Sequence, residues 1–223
     1  MLKNQIKTFL IAVLVLPGCV AAAPAFQLAS RETKEWIETL ERPERIKTQK
    51  VDEAVKALGL KPGMVVADLG AGSGLFSRTL AKAVAPGGKV YAVDIDQGLL
   101  DYINQRDKQE NIGNIKTVLG QYDDPKIPGK DVDLAFFNDV LHHIEHRAAY
   151  LKALASYIKP TGQVAIIEMD KDDPKTPHKD KPELLLSRQQ IDQWMAEAGF
   201  QPVRENKDLF PDTKYFVFYG RKK

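Results

Sequence analysis

The segment Asp68-Leu69-Gly70-Ala71-Gly72-Ser73-Gly74 carries the strongest chemical signal in the sequence. It follows the β-rich run Met64–Leu69 and precedes a helical pattern that begins near Leu75. Glycines at the carboxyl end of a strand let the backbone turn sharply and let a ligand approach the main chain closely. A dinucleotide fingerprint would need a Gly where Leu75 stands, so the Gly-x-Gly-x-Gly spacing argues against a pyrophosphate seat and against an NAD-type oxidoreductase. Asp94 closes a second β-rich run, Lys89–Asp94. A carboxylate there accepts hydrogen bonds from both hydroxyls of a ribose, and capping the helix after Ile95 is its other reading. Asp68 can bind the loop amides, a ligand, or both. His142 and His143 follow a fourth run, Val132–Phe137, at the end where substrates sit in open α/β sheets. A neutral His there can take a proton from a reacting oxygen or nitrogen, and Asp139 is a third candidate base. Local packing or hydrogen bonding is the competing reading for one of the two histidines.

These residues need strands to carry them. Short β-rich runs at Met64–Leu69, Lys89–Asp94, Ile115–Leu119, Val132–Phe137 and Gln163–Met169 alternate with helical patterns near 75–85, 97–110, 144–158 and 187–198. Strands spaced by helices mean βαβ crossovers and a mainly parallel sheet. Runs such as Val-Val-Ala-Asp-Leu and Leu-Ala-Phe-Phe are apolar on both faces, as a sheet covered on both sides requires. Tyr215–Tyr219 closes the chain, and Lys214–Gly220 is expected to add an antiparallel edge after a helix stopped at Gly199. Ahead of the first strand, Ser30 can cap a helix reaching about Leu40 that Pro43 ends, and Val51, Ala54, Val55 and Leu58 lie on one face of a second helix that Gly59 stops.

Val65–Gly74 resembles the first motif of the class I, Rossmann-like S-adenosylmethionine (SAM) dependent methyltransferases, and Val90–Asp96 is similar to their second. Gly120-Gln121-Tyr122-Asp123-Asp124, Val132–Ile144 and the turn Tyr157–Gly162 match later motifs in the family's order, the turn departing by one Thr. The resemblance covers about residues 42–220. It implies a doubly wound, mainly parallel seven-stranded sheet with an antiparallel C-terminal edge and helices on both faces. It implies SAM as cofactor and S-adenosylhomocysteine as product, held by Asp68, Gly70, Ala71, Gly72, Gly74, Asp94, Ile95, Asp123 and Asn138. Ile95 would lie against the adenine, Asp123 near its amino group, and His142, His143 or Asp139 would supply any base. Arg42-Pro43-Glu44-Arg45 with Gln49 would belong to a helical lid spanning 26–60. Asp139 with Glu168 and Asp170 roughly matches the metal ligands of catechol-type O-methyltransferases, oxygen donors suited to Mg²⁺, but the surrounding residues depart from that pattern and no metal is expected.

The chain has 223 residues, 32 of them Lys or Arg and 30 Asp or Glu. Lys3 and Lys7 precede the apolar run Phe9–Leu16 and a small-residue stretch ending at Ala25. That order is expected of a secretory signal over residues 1–25, leaving a domain at 26–223 and an exported, periplasmic protein. A lipoprotein signal ending before Cys19, with a lipid anchor there, is the second reading, and cytoplasmic retention the third. The run is too short to span a bilayer, which takes about 20 apolar residues. Discounting Lys3 and Lys7 leaves 30 basic against 30 acidic residues, a balance that gives nucleic acid no electrostatic footprint. Cys19 is the single cysteine, so the folded body has no thiolate nucleophile. The expected activity is methyl transfer to a small-molecule acceptor, and a catalytically silent SAM or nucleoside binder is the alternative.

Overall fold

A computed structural model describes residues 32–171, 176, 184–211 and 213–222. The expected signal segment with Cys19, the Ser30 cap and most of the polar run Lys171–Lys181 lie outside the described residues. Three helices come first: α1 (Thr33–Leu40), α2 (Pro43–Gln49) and α3 (Val51–Leu58). They lead into β1 (Val65–Leu69), α4 (Leu75–Val84), β2 (Lys89–Asp94), α5 (Gln97–Gln109), β3 (Ile115–Leu119) and β4 (Val132–Asn138). A single 3₁₀ turn at Leu141–His143 precedes α6 (Arg147–Ala155), β5 (Ile158–Met169), α7 (Arg188–Glu197), β6 (Phe200–Glu205) and β7 (Lys214–Arg221).

The seven strands form one sheet in the order β3-β2-β1-β4-β5-β7-β6. All neighbours from β3 to β5 are parallel, and β7 pairs antiparallel with both β5 and β6. The chain leaves β1 towards β2 and β3, then returns to place β4 on β1's other side. The crevice at that reversal, above the carboxyl ends of β1 and β4, is where open α/β sheets bind ligands.

Side chains alternate between two apolar layers, as the period of a strand demands. Ala67 and Leu69 of β1, Phe137 of β4, Ile166 of β5 and Tyr219 of β7 face α6 and α7. Val66, Phe136, Ile167 and Phe218 face α3 and α4. Phe136, Phe137, Phe216 and Phe218 are completely buried, each contributing about 1.5–3 kcal/mol from apolar burial. On the second face α5 continues the layer through Leu100 and Ile103 against Ala71 and Ala92.

Several local expectations change. Pro43 begins α2 instead of ending α1, because a proline at the first helical position forfeits an N–H that has no intrahelical partner there. The turn at Tyr157–Gly162 falls largely within β5, whose pairing jumps from Val132↔Ile158 to Leu134↔Gln163, so the intervening residues bulge out of the ladder. The antiparallel edge is a pair of strands, β7 inside and β6 outermost. No helix among the described residues is long and apolar enough to cross a membrane.

Candidate functional site

The turn after β1 is built around two glycines that no other residue replaces without strain. Gly70 has φ +68° and Gly72 φ +57°, both left-handed. A Cβ on Gly70 would sit 2.2 Å from Val140 Cγ2, and one on Gly72 would sit 2.9 Å from Leu40 Cδ1. The loop is therefore wedged between the segment after β4 and the end of α1. Its amides are fixed from β2: Gly70 N and Ala71 N both donate to the Val93 carbonyl at 2.9 Å, and Gly72 N donates to Asp94 Oδ2 at 2.8 Å.

Asp94 also accepts from the Asp96 amide at 3.1 Å through Oδ1. Burial raises its pKa against the opposing pull of these backbone donors. The α5 cap is Asp96, which accepts from the amides of Gly98 and Leu99, so capping does not explain Asp94. Asp68, at the end of β1, is buried beneath the loop and accepts from Ser77 Oγ at 2.5 Å. Burial pushes its pKa up to about 7; the Ser77 hydrogen bond opposes this and the nearby Asp94 charge adds to it. Two carboxylates thus converge under one Gly-rich turn. Ile95, next after Asp94, is 46% exposed, and Leu119 and Tyr122 of the neighbouring strand end and loop are exposed as well. Asp123 is exposed in that loop, and the loop's hydrogen bonds are made by Asp124, from Tyr157 Oη and the Lys126 amide.

The β4 end carries a second group. Gln49 of α2 is buried there; its Nε2 donates to Asp139 Oδ2 at 2.9 Å and its Oε1 accepts from Asn138 Nδ2 at 3.1 Å. Lys214 Nζ, at the start of β7, lies 2.6 Å from Asp139 Oδ2. Burial pushes the Asp139 pKa upward, but Lys214, Gln49 and Arg45 outweigh it and hold the carboxylate below its ordinary value. A carboxylate so held is a weak proton acceptor. Asn138 Oδ1 and Asp139 Oδ1 are both buried without a donor among the described residues. A small cavity of about 40 Å³ connects the two groups, lined by Leu40, Arg45, Asp68, Gly72 and Asn138 among others.

His142 lies away from this cavity. It is 2% exposed, its Nδ1 is 2.8 Å from Glu168 Oε1, and its amide donates to Glu168 Oε2. Arg147 braces the same turn through the carbonyls of Leu141 and His142. His142 is thereby accounted for as a core residue, while His143, whose ring lies 4.0 Å from that of His142, is only half-buried. Asp139, Glu168 and Asp170 have separate partners in Lys214, His142 and Tyr215 Oη, and no group of three metal-ligating side chains occurs among the described residues. Ser77 and Lys214 are the members of the site that sequence reasoning missed. Ser77 is one serine inside an amphipathic helix, and Lys214 is 75 residues from Asp139, so neither leaves a local signal.

Comparison with known proteins agrees with this geometry. Residues 60–200 match the model of a methyltransferase domain. A SAM-dependent methyltransferase of Aquifex aeolicus superposes with a TM-score of 0.75 at 25% identity, over 85% of this chain and 98% of that one. A ubiquinone/menaquinone biosynthesis C-methyltransferase of Cupriavidus taiwanensis is 33% identical over 115 residues, 51% of this chain and 46% of that protein. An uncharacterised 37.1 kDa protein in a transposon of Streptomyces fradiae is 32% identical over 132 residues, 59% of this chain and 37% of that protein. The chain spans half or less of the length of the first curated relatives it matches. The strand order, the Gly-rich turn under Asp94 and the domain match together establish that the chain belongs to the Rossmann-like SAM-dependent methyltransferases.

Proposed function

We propose that the chain transfers a methyl group from SAM to a small-molecule acceptor, releasing S-adenosylhomocysteine. The observation that carries this reading is Asp94, a half-buried carboxylate at the end of β2 already bonded to the Gly72 amide of the Gly-rich turn. The residues fit the cofactor: Asp94 suits a ribose diol, the exposed Ile95 offers an apolar face to adenine, and Asn138 Oδ1 is an acceptor in want of a donor. When bound, SAM supplies a methyl group on a sulfonium, which leaves with little activation. The protein's share is then mainly to align the acceptor and exclude water. Where the acceptor carries a proton, His143 is the better placed of the two histidines to take it, since His142 is held by Glu168.

Isothermal titration with SAM and S-adenosylhomocysteine, with Asp94→Ala as control, tests the cofactor reading. Micromolar binding that collapses in the variant supports it. No binding to folded protein refutes it, and binding with no turnover across an acceptor screen would instead mark a silent binding module. Intermediates of ubiquinone and menaquinone biosynthesis are the first acceptors to screen, from the matched C-methyltransferases. Export completes the proposal: Lys3, Lys7, the apolar run and the small residues to Ala25 support a cleaved leader, and Cys19 supports a lipidated one. Cell fractionation of the wild type and Cys19→Ala separates soluble export, lipid anchoring and retention.

A further inference from the structure

α1 lies ahead of the stretch that matches the methyltransferase domain, and no residue of it is buried. At its start Thr33 Oγ1 donates to Asp96 Oδ1, the carboxylate that caps α5, at 3.3 Å, and a Cβ on Gly98 would meet Thr33 Oγ1 at 2.5 Å. At its end Leu40 lies against Gly72 of the Gly-rich turn, and Glu41, the next residue, pairs with Arg78 of α4 at 3.1 Å. Eight helical residues span about 12 Å. α1 is thus a short strap fastened at both ends, and its two anchor points flank Asp94, which is bonded to the amides of Gly72 and Asp96. Arg78 itself is 7% exposed and spends its planar fork on three elements. Nη1 donates to the Ser73 carbonyl of the Gly-rich turn at 2.9 Å, Nη2 reaches Glu41, and Nε lies 3.3 Å from Glu110 Oε1 at the end of α5.

These three partners are unequal. Glu110 and Ser73 stay with Arg78 when Glu41 leaves, so the guanidinium keeps a carboxylate and a carbonyl. Opening therefore strands no buried charge, the outcome that makes most enclosed ion pairs so costly to break. Glu41, its side chain 20% exposed, is already close to water. We propose that Arg78 is a positioning residue that clasps α1 across the crevice, so that the strap is seated while Glu41 is paired and lifts when the pair breaks, Ser73 remaining held. The proposal rests on the methyltransferase reading for its ligand and adds a gate in which Arg78 touches no ligand. It also gives the gate a sensitivity. The Debye length falls from about 10 Å at 0.1 M salt to about 3 Å at 1 M, and separated, hydrated charges are screened far more than an enclosed pair. Ionic strength accordingly favours the lifted strap, whereas the neutral Thr33 donor at the other end is less affected.

Hydrogen exchange of the full chain over residues 33–41, at about 0.05 M and about 1 M sodium chloride, tests the clasp in wild type, Glu41→Gln and Glu110→Gln. Wild-type exchange there is expected to quicken severalfold with salt. Glu41→Gln is expected to exchange about 5- to 30-fold faster at low salt and to lose the salt response. Glu110→Gln removes a partner of Arg78 that does not touch α1 and should leave residues 33–41 unchanged. Unchanged exchange in β1 shows that each variant is folded. Release of S-adenosylhomocysteine, followed by stopped flow, should quicken in Glu41→Gln by the same factor, with equilibrium affinity changed far less, because a gate speeds entry and release together. Exchange indifferent to salt and to Glu41→Gln overturns the proposal, as does an equal response to Glu110→Gln. An affinity that falls as much as release quickens overturns it too, since Glu41 and Arg78 would then support the bound ligand. The expected exchange in a wild type that binds no S-adenosylhomocysteine upholds the clasp and defeats the methyltransferase reading.

Discussion

Replacing Gly70 by Ala measures how tightly the turn after β1 is locked to the segment after β4. At φ +68° a Cβ costs roughly 1–2 kcal/mol of backbone strain. It would also lie 2.2 Å from Val140 Cγ2 and 3.0 Å from Val140 Cβ, well inside the usual carbon contact of about 3.5–4.0 Å. Val140 cannot retreat easily, because it lies between Asp139, itself at φ +50°, and the fully buried Leu141. Overpacking of this kind costs about 1–3 kcal/mol, so Gly70→Ala is expected to destabilise the fold by about 2–5 kcal/mol in all. The two contributions separate in a double variant, since Val140→Ala removes the overlap with both Cγ atoms and leaves the backbone strain and the 3.0 Å approach to Cβ. Gly70→Ala/Val140→Ala should be more stable than the two single losses added together, by about 1–2 kcal/mol. Urea unfolding with an unchanged m-value reads both quantities. Losses that simply add, to within about 0.5 kcal/mol, would refute the packing argument.

Asp68 predicts a pH dependence of known sign. Its folded pKa, about 7, lies above the ordinary aspartate value, so the folded state holds the proton more tightly and stability falls as pH rises from about 4 to 7. Asp68→Asn should flatten the change in urea midpoint between those limits, although Asp94, raised in the same direction, keeps part of it. His142→Ala removes a buried partner of Glu168 and is expected to cost about 3 kcal/mol of stability, visible as a lowered thermal midpoint; a wild-type midpoint with turnover abolished would assign His142 to catalysis instead. Gln49→Ala frees α2 from Asn138 and Asp139, so limited proteolysis should cut within residues 42–49 faster than in wild type, and equal rates would show that other contacts hold the helix.

The central strands were readable because burial on both faces leaves unbroken apolar runs, as in Val65–Leu69 and Val132–Phe137. β6 escaped for the opposite reason: five of its six residues are exposed and Pro202 sits among them, so it shows neither alternation nor an apolar run. α2 escaped because a proline that starts a helix looks, in a string of letters, like one that stops it. At the site, the Gly-rich turn and Asp94 were legible since their roles follow from local spacing at strand ends. The pairs Asp68 with Ser77, His142 with Glu168 and Asp139 with Lys214 depend on how strands and helices register against one another. Glu168 meets His142 because β4 and β5 pair at Asn138↔Ile167, a relation that no window of sequence contains.

The cavity under Leu40 and Arg45, at about 40 Å³, is near the share of space one water takes in the liquid, about 30 Å³. Were ligand to enter it only when α1 and α2 lift, a packing detail would become a matter of time. The observed binding rate would then level off at high ligand concentration at the lifting rate. The apparent affinity would likewise be diluted by the fraction of molecules that are open at any moment. Product would leave through the same door, and slow opening would let helix motion rather than the proposed methyl transfer set the turnover.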